Sequence, residues 1–143
     1  MNAKANIHLS SFLLTDLNSA SALTRACQLS QMNNADVTVL YVIPRYEEMI
    51  DFFKTDSIRK SLFQEAAKIT ASAKGLASLL GTMVKTEIAE GPSAEKIIDA
   101  AKSMDNGLIV MGSHGYRGLN KAIMGSTTER VILNAACPVL VVR

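Results

Sequence analysis

Two hydrophobic periods alternate along the chain, and no other feature limits its fold as tightly. Phe12-Leu13-Leu14-Thr15 is a short apolar run ended by Asp16, after which Leu17, Ala20, Leu23, Ala26, Cys27 and Leu29 recur at helical spacing. Val37 to Ile43 is β-branched and apolar, and Pro44 stops it. From about Ser57 to Leu80, the residues Ile58, Leu62, Ala66, Ile69, Ala73 and Leu76 form one helical stripe. Val84 to Ala89 is a third strand. Gly91-Pro92 opens a helix whose Ile97, Ile98 and Ala101 face inward, proline being tolerated in a first turn. Leu108 to Met111 is a fourth strand, Ser126 to Ala135 a fourth helix, and Pro138 to Val142 a fifth strand. The order βαβαβαβαβ calls for a parallel sheet covered by helices on both faces, joined by right-handed crossovers.

At 143 residues the chain has the size of one domain, and 48% hydrophobic against 20% charged residues lets it bury a core. The net charge is +2, with bases spread from Lys4 to Arg143, which gives no electrostatic case for nucleic acid or an anionic membrane. No apolar run reaches membrane-span length, and MNAKANIHLSS lacks the apolar core of a secretory signal, so a cytoplasmic location is expected. Cys27 and Cys137 have no metal-ligand spacing and read as reduced, buried thiols. The segment 44–56, PRYEEMIDFFKTD, is ambiguous. Its Met49, Ile50, Phe52 and Phe53 either fold back on the core or form a patch for a protein partner.

The stretch GSHGYRGLNKAIMGSTTER (112–130) carries Gly112, Gly115, Gly118 and Gly125 between a strand and a helix. Glycine at that density weakens regular structure, so a ligand is the natural justification. In open parallel sheets, ligands sit beyond the carboxyl ends of the strands, where strand order reverses. Backbone N–H groups at Gly112 and Gly115 can approach an anion with no Cβ in the way. The Gly125-Ser126 step then presents the positive end of a helix, and Ser113, Ser126, Thr127 and Thr128 add hydroxyls. A polyphosphate suits this chemistry. The GxxxxGK[ST] and GxGxxG patterns are both absent.

The spacing Gly112-x2-Gly115-x9-Gly125-Ser126, after LIVMG and before a final CPVLVVR, resembles the ATP-binding branch of the universal stress protein family. LLTDLNSAS, VTVLYVIP and AEGPSAEKIIDAAK extend the likeness over nearly the whole chain, as one domain covering 1–143. The resemblance implies a Rossmann-like, adenine nucleotide alpha hydrolase-like sandwich, with a five-stranded parallel sheet in the order 3-2-1-4-5. It implies triphosphate contacts at Gly112, Gly115, Gly125, Ser126 and Thr127, helped by His114 and Thr128. Met111 would flank the ribose. Asp16, beside Leu14 and Thr15 at the end of the first strand, would meet the adenine or ribose edge, and Val42 would offer backbone contacts to the base. The ligand would be ATP, with or without magnesium, in a stress or metabolic-state sensor. The strand 138–142, apolar on both faces, would pair across a two-fold axis to make a homodimer.

Plainer roles stand beside these. Ser126-Thr127-Thr128-Glu129 also reads as a capping box, and Asp16 as a helix N-cap. His114, Arg117 and Lys121 could simply be solvated. Rival functions are a dimeric interaction module that binds no nucleotide and a slow nucleotide hydrolase. Against the second, no base-and-orienter pair stands out in the loop, so any turnover is expected to be slow.

Overall fold

The computed structural model describes residues 11–14, 20–44, 56–104, 107–113 and 126–143. Among the described residues nine elements follow one another: β1 (Ser11–Leu14), α1 (Ala20–Asn33), β2 (Asp36–Pro44), α2 (Asp56–Leu79), β3 (Val84–Gly91), α3 (Ser93–Lys102), β4 (Gly107–Gly112), α4 (Ser126–Asn134) and β5 (Val139–Val142). The strands form one sheet in the order β3-β2-β1-β4-β5, with every neighbouring pair parallel. Pro44 does not stop β2 but is its last residue, exposed and in register with Gly91, where a missing N–H costs the ladder little.

Handedness decides which helix lies on which face. The connections through α1 and α2 step toward the β3 edge, whereas those through α3 and α4 step back toward β5. Right-handed crossovers in opposite directions put the two helix pairs on opposite faces. The cores agree. Leu23 and Cys27 of α1 and Ala73 and Ala77 of α2 pack with Val37, Val39 and Val110 on one side. On the other, Ile97 of α3 and Val131 of α4 pack with Leu40, Ile109 and Met111. Alternation along β4 is therefore strict, Leu108 and Val110 facing one layer and Ile109 and Met111 the other. All six residues of β4 are buried, as a central parallel strand requires.

Helix α2 corrects the stripe expected from hydrophobicity. Its buried residues are Ala66, Thr70, Ala73 and Ala77, while Ile58, Leu62 and Ile69 are half-buried and Leu76 is exposed. Small side chains let the helix lie close to the sheet. The Thr70 hydroxyl is tolerated there because it donates to the Ala66 carbonyl at 3.0 Å. After α2 the chain reverses at Gly81, whose φ of 83° lies in the left-handed region, and Thr82 N–H donates back to Ala77 O at 2.9 Å. No described helix is long and apolar enough to cross a membrane.

Candidate functional site

Strand order reverses beside β1. Its register sets Leu14, the last residue of β1, between Val39 of β2 and Val110 of β4, and these two neighbours run on past it to Pro44 and Gly112. Val42 lies near the end of β2, half-buried and in register with Ala89 of β3. Gly112 ends β4, in register with Val142 at the end of β5.

On the face covered by α3 and α4, both helices begin at this same end. Helix α3 follows Gly91, whose φ of 147° favours glycine; an added Cβ would also lie 2.6 Å from Lys96 Cε. Pro92 is the residue flanking the helix, one position earlier than expected, and its carbonyl accepts the Lys96 N–H at 3.0 Å. Between the starts of α3 and α4 lies a cleft of about 350 Å³, lined by Pro92, Ser93, Ala94, Ser126, Thr127 and Arg130. Arg130 stands one turn beyond Ser126 and Thr127 on α4, neighbouring each at i+4 and i+3 spacing. The lining combines three hydroxyls, a guanidinium and two helix N-termini, each equivalent to about half a positive charge. None of these described lining residues is acidic, so the chemistry suits an anion.

Of the residues singled out in the sequence, the structure brings Ser126 and Thr127 to the cleft. Two others are buried. Thr128 is buried, at 2% exposure, and its hydroxyl donates to Gly112 O at 3.0 Å, so that proton is spent inside the protein. Met111 is 4% exposed and packs in the core under α3 and α4. Ser126 is the first residue of α4. Thr15, Asp16, His114, Gly115, Gly125, Arg117 and Lys121 lie outside the described residues, as do Met49, Ile50, Phe52 and Phe53.

Ser93 and Arg130 were missed. A signal existed for Arg130, which stands one helical turn beyond Ser126; Ser93 could be found only by knowing that α3 and α4 share a face. Among the described residues no group of three or more His, Cys, Asp or Glu could hold a metal. Cys27 and Cys137 are free thiols packed on opposite faces of the sheet. Burial pushes both thiols up from their ordinary value, against partial relief from hydrogen bonds with Thr82 at Cys27 and with the Ile109 backbone at Cys137.

The model of the universal stress protein family matches residues 15–143. Universal stress protein YxiE of Bacillus subtilis is 33% identical over 135 residues, covering 87% of this chain and 90% of that protein. The structure of UspA from Lactobacillus plantarum superposes with a TM-score of 0.79 at 25% identity, covering 95% of this chain and 99% of that one. An Archaeoglobus fulgidus universal stress protein, solved in complex with dAMP, superposes with a TM-score of 0.70 over 96% of this chain and 99% of its own. At 21% identity that likeness carries the fold. With a family match running from the end of the first strand through the last, the chain belongs to the universal stress protein family.

Proposed function

We propose that the protein binds an adenine nucleotide, ATP foremost, at the carboxyl end of the sheet. The observation that carries this reading is the start of α4. Ser126, Thr127 and Arg130 face a cleft there, immediately after a glycine-rich stretch that leaves β4 at Gly112. The phosphates lie against the N-terminus of α4, held by backbone N–H groups, the two hydroxyls and the Arg130 charge. Gly115, Gly125 and His114 complete the phosphate contacts. The ribose and base extend toward the switch point, where Leu14, Thr15, Asp16 and the Val42 backbone receive them and Met111 supplies the floor from within the core. A relative of the same fold carries dAMP, which supports an adenine ligand. Magnesium, when present, accompanies the phosphates.

The nucleotide acts as a ligand rather than as fuel. Fast phosphoryl transfer to water needs a residue that positions the attacking water, and the described cleft lining offers hydroxyls and a cation for no such task. The protein works as a dimeric, cytoplasmic sensor of stress or metabolic state, pairing through the open edge of β5 (strand segment 138–142). The test is direct. Small molecules released by heat from the purified protein are identified by mass, and calorimetry then compares ATP, AMP and adenosine. Binding of ATP tighter than adenosine is expected. Failure of ATP to bind at millimolar concentration overturns the reading.

A further inference from the structure

We infer that Thr128 is a positioning residue for the nucleotide site, a clasp that fixes the peptide from which the glycine-rich stretch departs. The inference rests on the nucleotide reading above. The Gly112–Ser113 peptide unit is held by both of its polar groups. Its carbonyl, on Gly112, accepts the Thr128 hydroxyl at 3.0 Å, and its N–H, on Ser113, donates to Val142 O at 3.0 Å. The partners come from different elements, α4 and β5, so the plane of this peptide is set relative to both. Ser113 is itself buried, as is Gly112.

The hydroxyl is free for this task because of where it stands. Elsewhere a helical threonine spends its proton on its own helix, as Thr24 does on Ala20 O at 2.8 Å and Thr70 on Ala66 O at 3.0 Å. Thr128 is the third residue of α4, so the carbonyl four residues back precedes the helix. Its donor reaches instead across to β4. A buried hydroxyl is costly unless bonded, and a valine of the same shape would fill the space without that bond. The clasp therefore sets the separation between the end of β4 and the first turn of α4, the turn that presents Ser126 and Thr127 to the cleft. An anion cradle depends on the aim of its N–H groups, and a freed peptide plane loses that aim.

Thr128→Val removes the hydroxyl and keeps the shape; Thr128→Ser keeps the hydroxyl. In calorimetry, Thr128→Val should bind ATP about tenfold more weakly, with adenosine affinity unchanged, and Thr128→Ser should restore ATP binding. Val131→Ala, a cavity in the same helix where the side chain is fully buried, should lower Tm and leave affinity alone. Two outcomes overturn the clasp while the nucleotide reading stands: wild-type ATP affinity in Thr128→Val, or an equal loss of affinity in Val131→Ala. A wild-type protein that binds no ATP overturns both. Should Thr128→Val fail to fold, amide exchange in the wild type decides, because a Ser113 N–H that exchanges like an open loop refutes the clasp.

Discussion

Arg130 offers the sharpest test of where the phosphates lie. It lines the cleft one turn beyond Ser126, and its side chain is exposed, so water screens whatever charge it meets. Two unit charges about 4 Å apart interact by about 1 kcal/mol in water and about 4 kcal/mol at the effective dielectric of a protein surface. An exposed guanidinium belongs near the lower figure. Arg130→Gln should then weaken ATP binding by about 1 kcal/mol, roughly fivefold, and Arg130→Glu by about 2 kcal/mol, roughly thirtyfold. Adenosine, which carries no phosphate, should bind both variants as it binds the wild type. The Debye length falls from about 10 Å at 0.1 M salt to about 3 Å at 1 M, so the differences should shrink in high salt. Stability should hold, since residue 130 is exposed at the middle of α4, where a surface substitution costs little. Calorimetry with ATP and adenosine at both salt concentrations measures all of this. Unaltered ATP affinity in Arg130→Glu at low salt, or an equal loss for adenosine, refutes the placement.

Three further outcomes follow from other parts of the molecule. Burial raises the Cys27 thiol above its ordinary value of 9.0, so on raising pH the unfolded chain ionises first. Stability from this group is therefore complete well below pH 9 and lost as pH climbs toward the folded value; denaturation at pH 7, 9 and 10 should show a shallower alkaline loss in Cys27→Ala, and identical slopes would count against it. In β5 the carbonyls of Pro138 and Val142 point at β4, so the N–H of Val141 faces the open edge. Val141→Pro should accordingly leave the fold intact and turn a dimer into a monomer by light scattering, whereas an unchanged mass would exclude pairing through β5. Asp16→Ala should weaken ATP binding by about 1–3 kcal/mol; a lower Tm with unchanged affinity would make Asp16 a cap alone.

The alternating periods exposed the α/β architecture because each buried strand is a compact apolar run, and each helix repeats its apolar residues three or four apart. Helix α2 shows where that signal fails. Ile69 and Leu76 outweigh Thr70 and Ala77 on any hydrophobicity scale, yet the chain buries the smaller pair. Close approach of helix to sheet rewards small volume, which a count of apolar residues does not register. Thr128 fails for a related reason. A hydroxyl in a Ser-Thr-Thr run beside glycines looks available to a ligand, and only the position of Gly112 O reveals that its proton has an internal partner.

The cleft itself could not be found by reading along the chain, because its two walls are 30-odd residues apart and meet through topology. Helix α3 carries the chain from β3, at one edge, back across β2 and β1 to β4; α4 then carries it on to β5. Both steps run in the same direction, so right-handedness places both helices on one face, and both begin at the carboxyl end of the sheet. Their N-termini are thereby adjacent whatever residues they hold. Sequence then decides what that adjacency means. Proline and serine open α3, serine and threonine open α4, and an arginine stands one turn in. Without those side chains the meeting of two helix ends would concentrate positive potential with nothing to shape it. With them, the lining has donors on both walls and an exposed guanidinium, chemistry that suits a phosphate chain better than a nucleoside. That distinction separates the nucleotide-binding reading from an interaction module, and it rests on Ser93 and Arg130 as much as on the glycines.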